Sequence, residues 1–138
     1  MFGFCDMIEE IPFDINFSDS ASSGIGVTAM FRNCNKLKKI GTIRNFKPRN
    51  GQYLFDYCYN LRELPKFEHI DGSYLHSVTY SCSYAFNACY SLREIPSEFL
   101  NQWWNNSTSA MSNAYYGEFN HCVALNKIIG IMPAFEET

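Results

Sequence analysis

The chemistry available to this 138-residue chain sits mainly in six cysteines and three histidines. Thiolates serve as nucleophiles and zinc ligands, and imidazoles serve as bases and ligands. Structural zinc sites need cysteines in pairs, about two to four residues apart. Here Cys5, Cys34, Cys58, Cys89 and Cys122 recur at intervals of 29, 24, 31 and 33 residues, and Cys82 with Cys89 is the one close pair. Neither a metal centre nor another cofactor is expected. His69, His76 and His121 occur in unrelated contexts, and the side chains of the neighbours His121 and Cys122 diverge in any regular structure. A glycine-rich phosphate loop, a metal-binding histidine motif and a hydrolase elbow are all missing. The chain reads as a non-enzyme, with Cys82 the thiol expected to be exposed or reactive.

The recurring cysteines belong to a longer box, Phe-x-x-Cys-x-x-aliphatic-x-x-aliphatic. Its copies are Phe2, Cys5, Ile8, Ile11; Phe31, Cys34, Leu37, Ile40; Phe55, Cys58, Leu61, Leu64; Phe86, Cys89, Leu92, Ile95; and Phe119, Cys122, Leu125, Ile128. Composition alone predicts about 0.5 Phe-x-x-Cys pairs against the five present. The box is fixed while the segments between boxes vary in length, as in a solenoid whose coils bury their apolar sides against one another and send variable loops outward. Turn-forming clusters fill the variable segments, among them Ser18 to Gly24, Lys47 to Gly51, Asp71 to Ser73 and Asn105 to Ser109. Within a box, Phe and Cys sit three apart as on a helical turn, and the aliphatic part leads into a brief extended segment. Pro12, Pro65 and Pro96 follow the last aliphatic residue in three boxes and Gly41 in a fourth, so the strands are expected to be short.

Stacking in register makes rows of equivalent side chains. The five box cysteines form a ladder at strand spacing, about 4.8 Å, which is within reach of a disulfide between Cα atoms. Their side chains point the same way, and buried free thiols are the plainer expectation; sequence leaves the redox state open. The pairs between the aliphatic positions are mostly charged: Glu9-Glu10, Lys38-Lys39, Arg62-Glu63, Arg93-Glu94 and Asn126-Lys127. They predict two exposed rows in which Glu9 faces Lys38, Lys39 faces Glu63 and Glu94 faces Lys127. In the same rows Lys38, Arg62 and Arg93 are like-charged neighbours, and so are Glu63 and Glu94. Exposed ion pairs contribute only about 0–1 kcal/mol, so the rows are either a solvated face or a polar contact surface for a ligand, with Lys38, Arg62 and Arg93 as its candidates. Aromatic candidates lie in the longest segment between boxes. Read as extended chain, the adjacent Trp103 and Trp104 cannot both point inward, and Tyr115 and Tyr116 follow them. Exposed rings of this kind serve protein interfaces and stack on sugars; a loop folded back over them would bury them instead.

Composition bounds the rest. Hydrophobic residues are 46% and charged residues 18%, which excludes a disordered tail or a coiled coil. With 23 aromatic residues and only eight leucines, the core is expected to rest on rings. A formal net charge of -3 argues against nucleic acid or an anionic membrane as the main partner. No apolar run approaches the ~18 residues of a membrane span, and the N-terminal residues do not read as a signal peptide.

The box resembles the core motif of the BspA-like leucine-rich repeats, most closely at Met30 to Leu37 and at Ala85 to Leu92. The resemblance runs from the first residue to about Ile128; the linking segments are longer and less regular than in that family. It implies an α/β repeat fold, a leucine-rich-repeat solenoid with a short-stranded parallel sheet, short helices or turns opposite, and long irregular loops. It also implies a parallel binding surface of a kind found on bacterial cell surfaces, in some microbial eukaryotes and in phage structural proteins. A single domain over residues 1–138 is expected, with boxes at 2–11, 31–40, 55–64, 86–95 and 119–128 and a structural core of Phe2, Cys5, Phe31, Cys34, Phe55, Cys58, Phe86, Cys89, Phe119 and Cys122.

Met1 occupies the position that precedes the box phenylalanine, so the sequence opens inside a repeat. Uncapped repeats expose apolar surface and strand edges, and neighbouring subunits or a longer parent chain are therefore expected to cover the ends. The expected function is recognition or adhesion toward a protein or surface glycan. The alternative is a structural part of a phage or virion appendage that makes subunit contacts.

Overall fold

The extended segments are two or three residues each; Pro12 and Gly41 directly follow two of them, while Pro96 is itself the last residue of a third. The structure, a computed structural model, describes residues 2–17, 24–75, 82–104 and 119–129, with the backbone alone at Trp104 and 127–129. Its elements are β1 (Glu10–Ile11), β2 (Ile15–Asn16), β3 (Ile25–Gly26), β4 (Lys39–Ile40), β5 (Ile43–Arg44), β6 (Pro48–Asn50), β7 (Phe67–Glu68), β8 (Glu94–Pro96), α1 (Ser97–Trp104) and β9 (Lys127–Ile129). β1 pairs with β4, β5 lies between β2 and β7, β3 pairs with β6 and β8 with β9, all parallel. An isolated parallel bridge joins Glu63 to Glu94. Over the described residues the result is an α/β-type fold of small parallel strand pairs with one short helix.

The registers are those of the boxes: Ile11 lies opposite Ile40, and Ile95 opposite Ile128. Box phenylalanines stack in a column, with ring centroids 5.6 Å apart for Phe2 and Phe31, 5.1 Å for Phe31 and Phe55, 5.6 Å for Phe55 and Phe86, and 5.2 Å for Phe86 and Phe119. A second column, Phe17, Phe46, Phe67 and Phe99, runs through the segments between boxes with centroids 4.9–5.9 Å apart. Each such contact adds about 0.5–1.5 kcal/mol beyond area burial, so the two ring columns carry much of the core.

The helical-or-turn half of the box resolves into turns. Cys34, Cys58, Cys89 and Cys122 each donate a backbone hydrogen bond to the box phenylalanine three residues earlier. Two residues after the box phenylalanine, Phe4, Asn33, Tyr57, Ala88 and His121 all have φ between 57° and 63°. Two residues before it, Ala29, Tyr53 and Tyr84 share that left-handed conformation. Side chains there cost about 1–2 kcal/mol each. The return is an amide turned toward the following repeat: Asn33 N–H donates to Asp56 at 2.8 Å, Tyr57 to Asn87 at 2.9 Å and Ala88 to Asn120 at 2.7 Å. A regular helix in the box would consume those donors internally.

Among the described residues the one helix is α1, after the fourth box rather than within one. Glu98 in its first turn favours the positive helix end, and Phe99, Leu100 and Trp103 are buried on its inner side. The helix overturns the expectation for Trp103. In place of alternating extended residues, helical spacing sets Trp103 over Phe99, four residues earlier, with ring centroids 5.2 Å apart. Among the described residues no helix is long and apolar enough to cross a membrane.

Candidate functional site

The charged pairs precede or open the short strands, so strand pairing fixes their rows. Lys38 N–H donates to the Glu9 carbonyl at 2.8 Å, Arg93 N–H to Arg62 at 3.0 Å and Asn126 N–H to Arg93 at 3.2 Å. In the second row Glu10 lies opposite Lys39, Glu63 opposite Glu94, and Glu94 opposite Lys127. Between the rows lies an open groove of about 480 Å³. Lys38, Arg62 and Arg93 of the first row line it together with Glu10, Lys39, Glu63 and Glu94 of the second. Lys38 reaches Glu9 at 3.5 Å, a long pair between exposed groups. The structure thus brings together the three cations singled out by sequence.

The aromatic candidates divide. Trp103 is fully buried against Phe86, Phe99 and Gly51, which removes it from any ligand-contacting role. The Trp104 side chain, Tyr115 and Tyr116 lie outside the described residues. A partly exposed aromatic group, with Tyr90 and His121 its exposed members, exists elsewhere. Tyr59 and Tyr90, each one residue after a box cysteine, stack with centroids 5.1 Å apart, Tyr57 meets Tyr59 edge-on, and His121 meets Tyr90 edge-on. The repeated offset of Tyr59 and Tyr90 from their boxes was the signal that could have found this ledge.

The cysteines form no disulfide and act as a ladder of hydrogen-bond donors. Each Sγ lies close to the carbonyl of the preceding box phenylalanine: Cys34 to Phe2 at 3.0 Å, Cys58 to Phe31 at 3.1 Å, Cys89 to Phe55 at 3.1 Å and Cys122 to Phe86 at 3.0 Å. Burial pushes the Cys34 thiol up to about 11 and raises Cys58 and Cys89 well above the ordinary thiol range. Such thiols are poor nucleophiles. Cys82, expected at the surface, is fully buried in the core, in a turn whose Ala85 amide donates to the Cys82 carbonyl at 3.2 Å. Cys122 faces Phe86 while His121 faces Tyr90, so that neighbouring pair does diverge. His69 is exposed beside Asn45, Lys47 and Asp71, and His76 lies outside the described residues.

Two charge clusters are structural in character. Arg32 stacks on Tyr53 and lies 2.9 Å from the buried carboxylate of Asp56, which also accepts a hydrogen bond from Asn87. Burial nevertheless holds the Asp56 pKa above the usual carboxylate range. Arg44 bridges Asp14 at 3.1 Å and Glu68 across the β2–β5–β7 sheet. The hydrogen bond from Arg44 lowers the pKa of Asp14, and that from Lys66 lowers the pKa of Glu68.

Comparison of the chain with protein-family models, with curated proteins and with solved structures gives no match.

Proposed function

We propose that this chain is a BspA-like leucine-rich-repeat solenoid that works without catalysis, as a recognition or adhesion module for a protein or carbohydrate partner at a bacterial or phage surface. The observation that carries this reading is the groove in which Lys38, Arg62 and Arg93 line up from successive boxes. Repeat surfaces recognise partners by presenting equivalent positions side by side on a rigid support, and here a backbone hydrogen bond ties Arg93 to Arg62. The burial of Cys34, Cys58 and Cys89, which raises their pKa values, supports a packing role for these three thiols over a nucleophilic one.

A second reading, a structural part of a larger assembly, is favoured by one specific feature. Phe4, Met7 and Phe13 in the first repeat are 67%, 72% and 56% exposed, an apolar face suited to a neighbouring subunit or further chain.

The test is binding of the whole chain to displayed peptides and glycans, compared with a Lys38→Ala/Arg62→Ala/Arg93→Ala variant. Selective binding that the triple variant loses at least tenfold is expected. Binding to nothing displayed, or binding indifferent to the variant, would overturn recognition through this groove. Recovery of the native chain in a particle, with Phe4 and Met7 protected there, would favour the assembly reading.

A further inference from the structure

At one junction the charges lining the groove are arranged against the stability of the protein, although Lys127 lies opposite Glu94 on its other side. Between the first and second repeats the rows are complementary, Glu9 with Lys38 and Glu10 with Lys39. Between the third and fourth they are like-charged in both rows at once. Arg93 is bonded through its backbone to Arg62, and Glu63 lies directly opposite Glu94. Like charges directly across neighbouring strands destabilise a sheet. Among the described residues neither Arg62 nor Arg93 has a carboxylate within ion-pair distance, whereas Arg32, Lys38, Arg44 and Lys66 each have one.

An Arg–Arg pair beside a Glu–Glu pair calls for an occupant carrying both signs. A polyanion would satisfy Arg62 and Arg93 but meet three carboxylates, Glu10, Glu63 and Glu94, against the single cation Lys39 in the other row. A polycation meets the converse problem with Lys38, Arg62 and Arg93. A neutral sugar carries no charge to offset either like-charged pair, and no aromatic residue lines the groove to stack on its ring. An extended polypeptide sends successive side chains to opposite sides. Laid between the rows with acidic and basic residues alternating, it places its carboxylates over Lys38, Arg62 and Arg93 and its cations over the glutamates.

Resting on the recognition reading above, we infer that the groove binds an extended polypeptide segment of alternating acidic and basic residues, the like-charged Arg62–Arg93 and Glu63–Glu94 pairs being its complement. Specificity here comes from repulsion of singly charged partners as much as from attraction of the right one.

Three peptides of about twelve residues, read by fluorescence anisotropy on the whole chain at low salt, test the inference. One alternates Glu and Lys, one has the same composition in two blocks, and one is all Glu. The alternating peptide is expected to bind at least tenfold tighter than either of the others, and to weaken as salt rises. Arg62→Glu converts the cationic row into alternating signs; it is expected to abolish that binding while raising Tm by about 2 °C. Arg62→Gln, which introduces no new charge, is expected to weaken binding several-fold with the fold intact. Tightest binding of the all-Glu peptide, lost in Arg62→Gln, would overturn the inferred partner and leave groove recognition standing. Equal binding of alternating and block peptides would overturn it as well. If no peptide binds while a displayed ligand does so through the groove, the partner class is wrong; if no ligand of any kind responds to Arg62→Gln, the recognition reading falls with it.

Discussion

Gly51 lies flat against the indole of Trp103: a Cβ added to Gly51 would sit 2.2 Å from Cη2 and 2.9 Å from Cζ2. The tryptophan is fully buried and wedged against Phe99 and Phe86, so the ring has nowhere to retreat. Gly51→Ala is expected to lose about 1–3 kcal/mol in urea unfolding, through overpacking. Adding Trp103→Phe should restore part of that loss, whereas Trp103→Phe alone should destabilise. Purely additive effects in the double variant would show that the contact does not limit stability.

Thiol ionisation gives the protein a decline in stability at high pH. An unfolded thiol ionises near pH ~8.5, while burial pushes Cys34 up to about 11 and raises Cys58 and Cys89 further than an exposed thiol. Between those limits the folded state keeps protons that the unfolded state has released. Stability should therefore be complete below pH ~8.5 and fall as pH rises toward 11. Replacing Cys34 and Cys58 with Ala should flatten that decline in a pH series of Tm values, even if the variant starts lower. In alkylation followed by mass spectrometry, the half-buried Cys5 and Cys122 should react before Cys34, Cys58, Cys82 and Cys89.

The Arg32–Asp56 pair predicts the opposite response to acid. Asp56 is 1% exposed, and Arg32 and Asn87 are its polar supports. Arg32→Met should cost about 2–3 kcal/mol at pH 7 by leaving the carboxylate without its cation. Burial already raises this carboxyl, and loss of the guanidinium raises it further. The folded variant then holds a proton that the unfolded chain releases above pH ~3.9, so the variant should recover part of its deficit as pH falls toward 4. A deficit that stays constant from pH 7 to 4 would count against a buried ionised Asp56.

Left-handed backbone at Ala88 predicts a sensitivity that burial alone does not explain. Its φ is 57°, and its amide bonds the Asn120 carbonyl in the next repeat at 2.7 Å. Ala88→Gly should be neutral or slightly stabilising in denaturant melts, within about 1 kcal/mol. Ala88→Val should cost more than about 2 kcal/mol, since β-branching is disfavoured there. Equal tolerance of both would contradict the inter-repeat bond.

Sequence carries the stacking well because Phe, Cys and two aliphatic residues hold fixed offsets; the rows of Lys38, Arg62 and Arg93 follow from that register alone. The left-handed turns were hidden because Phe4, Tyr57, Ala88 and His121 occupy positions where glycine would have announced them. Tertiary bonding overrides local preference there. Trp103 was misplaced for a different reason: its position depends on a helix in a non-repeating segment, where no offset is available to compare. The Phe17, Phe46, Phe67 and Phe99 column escaped notice on the same ground.

Each box joins its neighbour through one thiol and the amide two residues after the box phenylalanine, and the segments between boxes add inter-repeat bonds of their own, such as Ile15 to Thr42 and Ile43 to Lys66. A gene encoding such a chain can gain or lose a whole unit by unequal recombination and still specify working junctions, because the thiol bond and the amide bond beside it recur at every junction. The charge at the two positions between the aliphatic residues is then free to drift, and new surface patterns can be written on an unchanged joint.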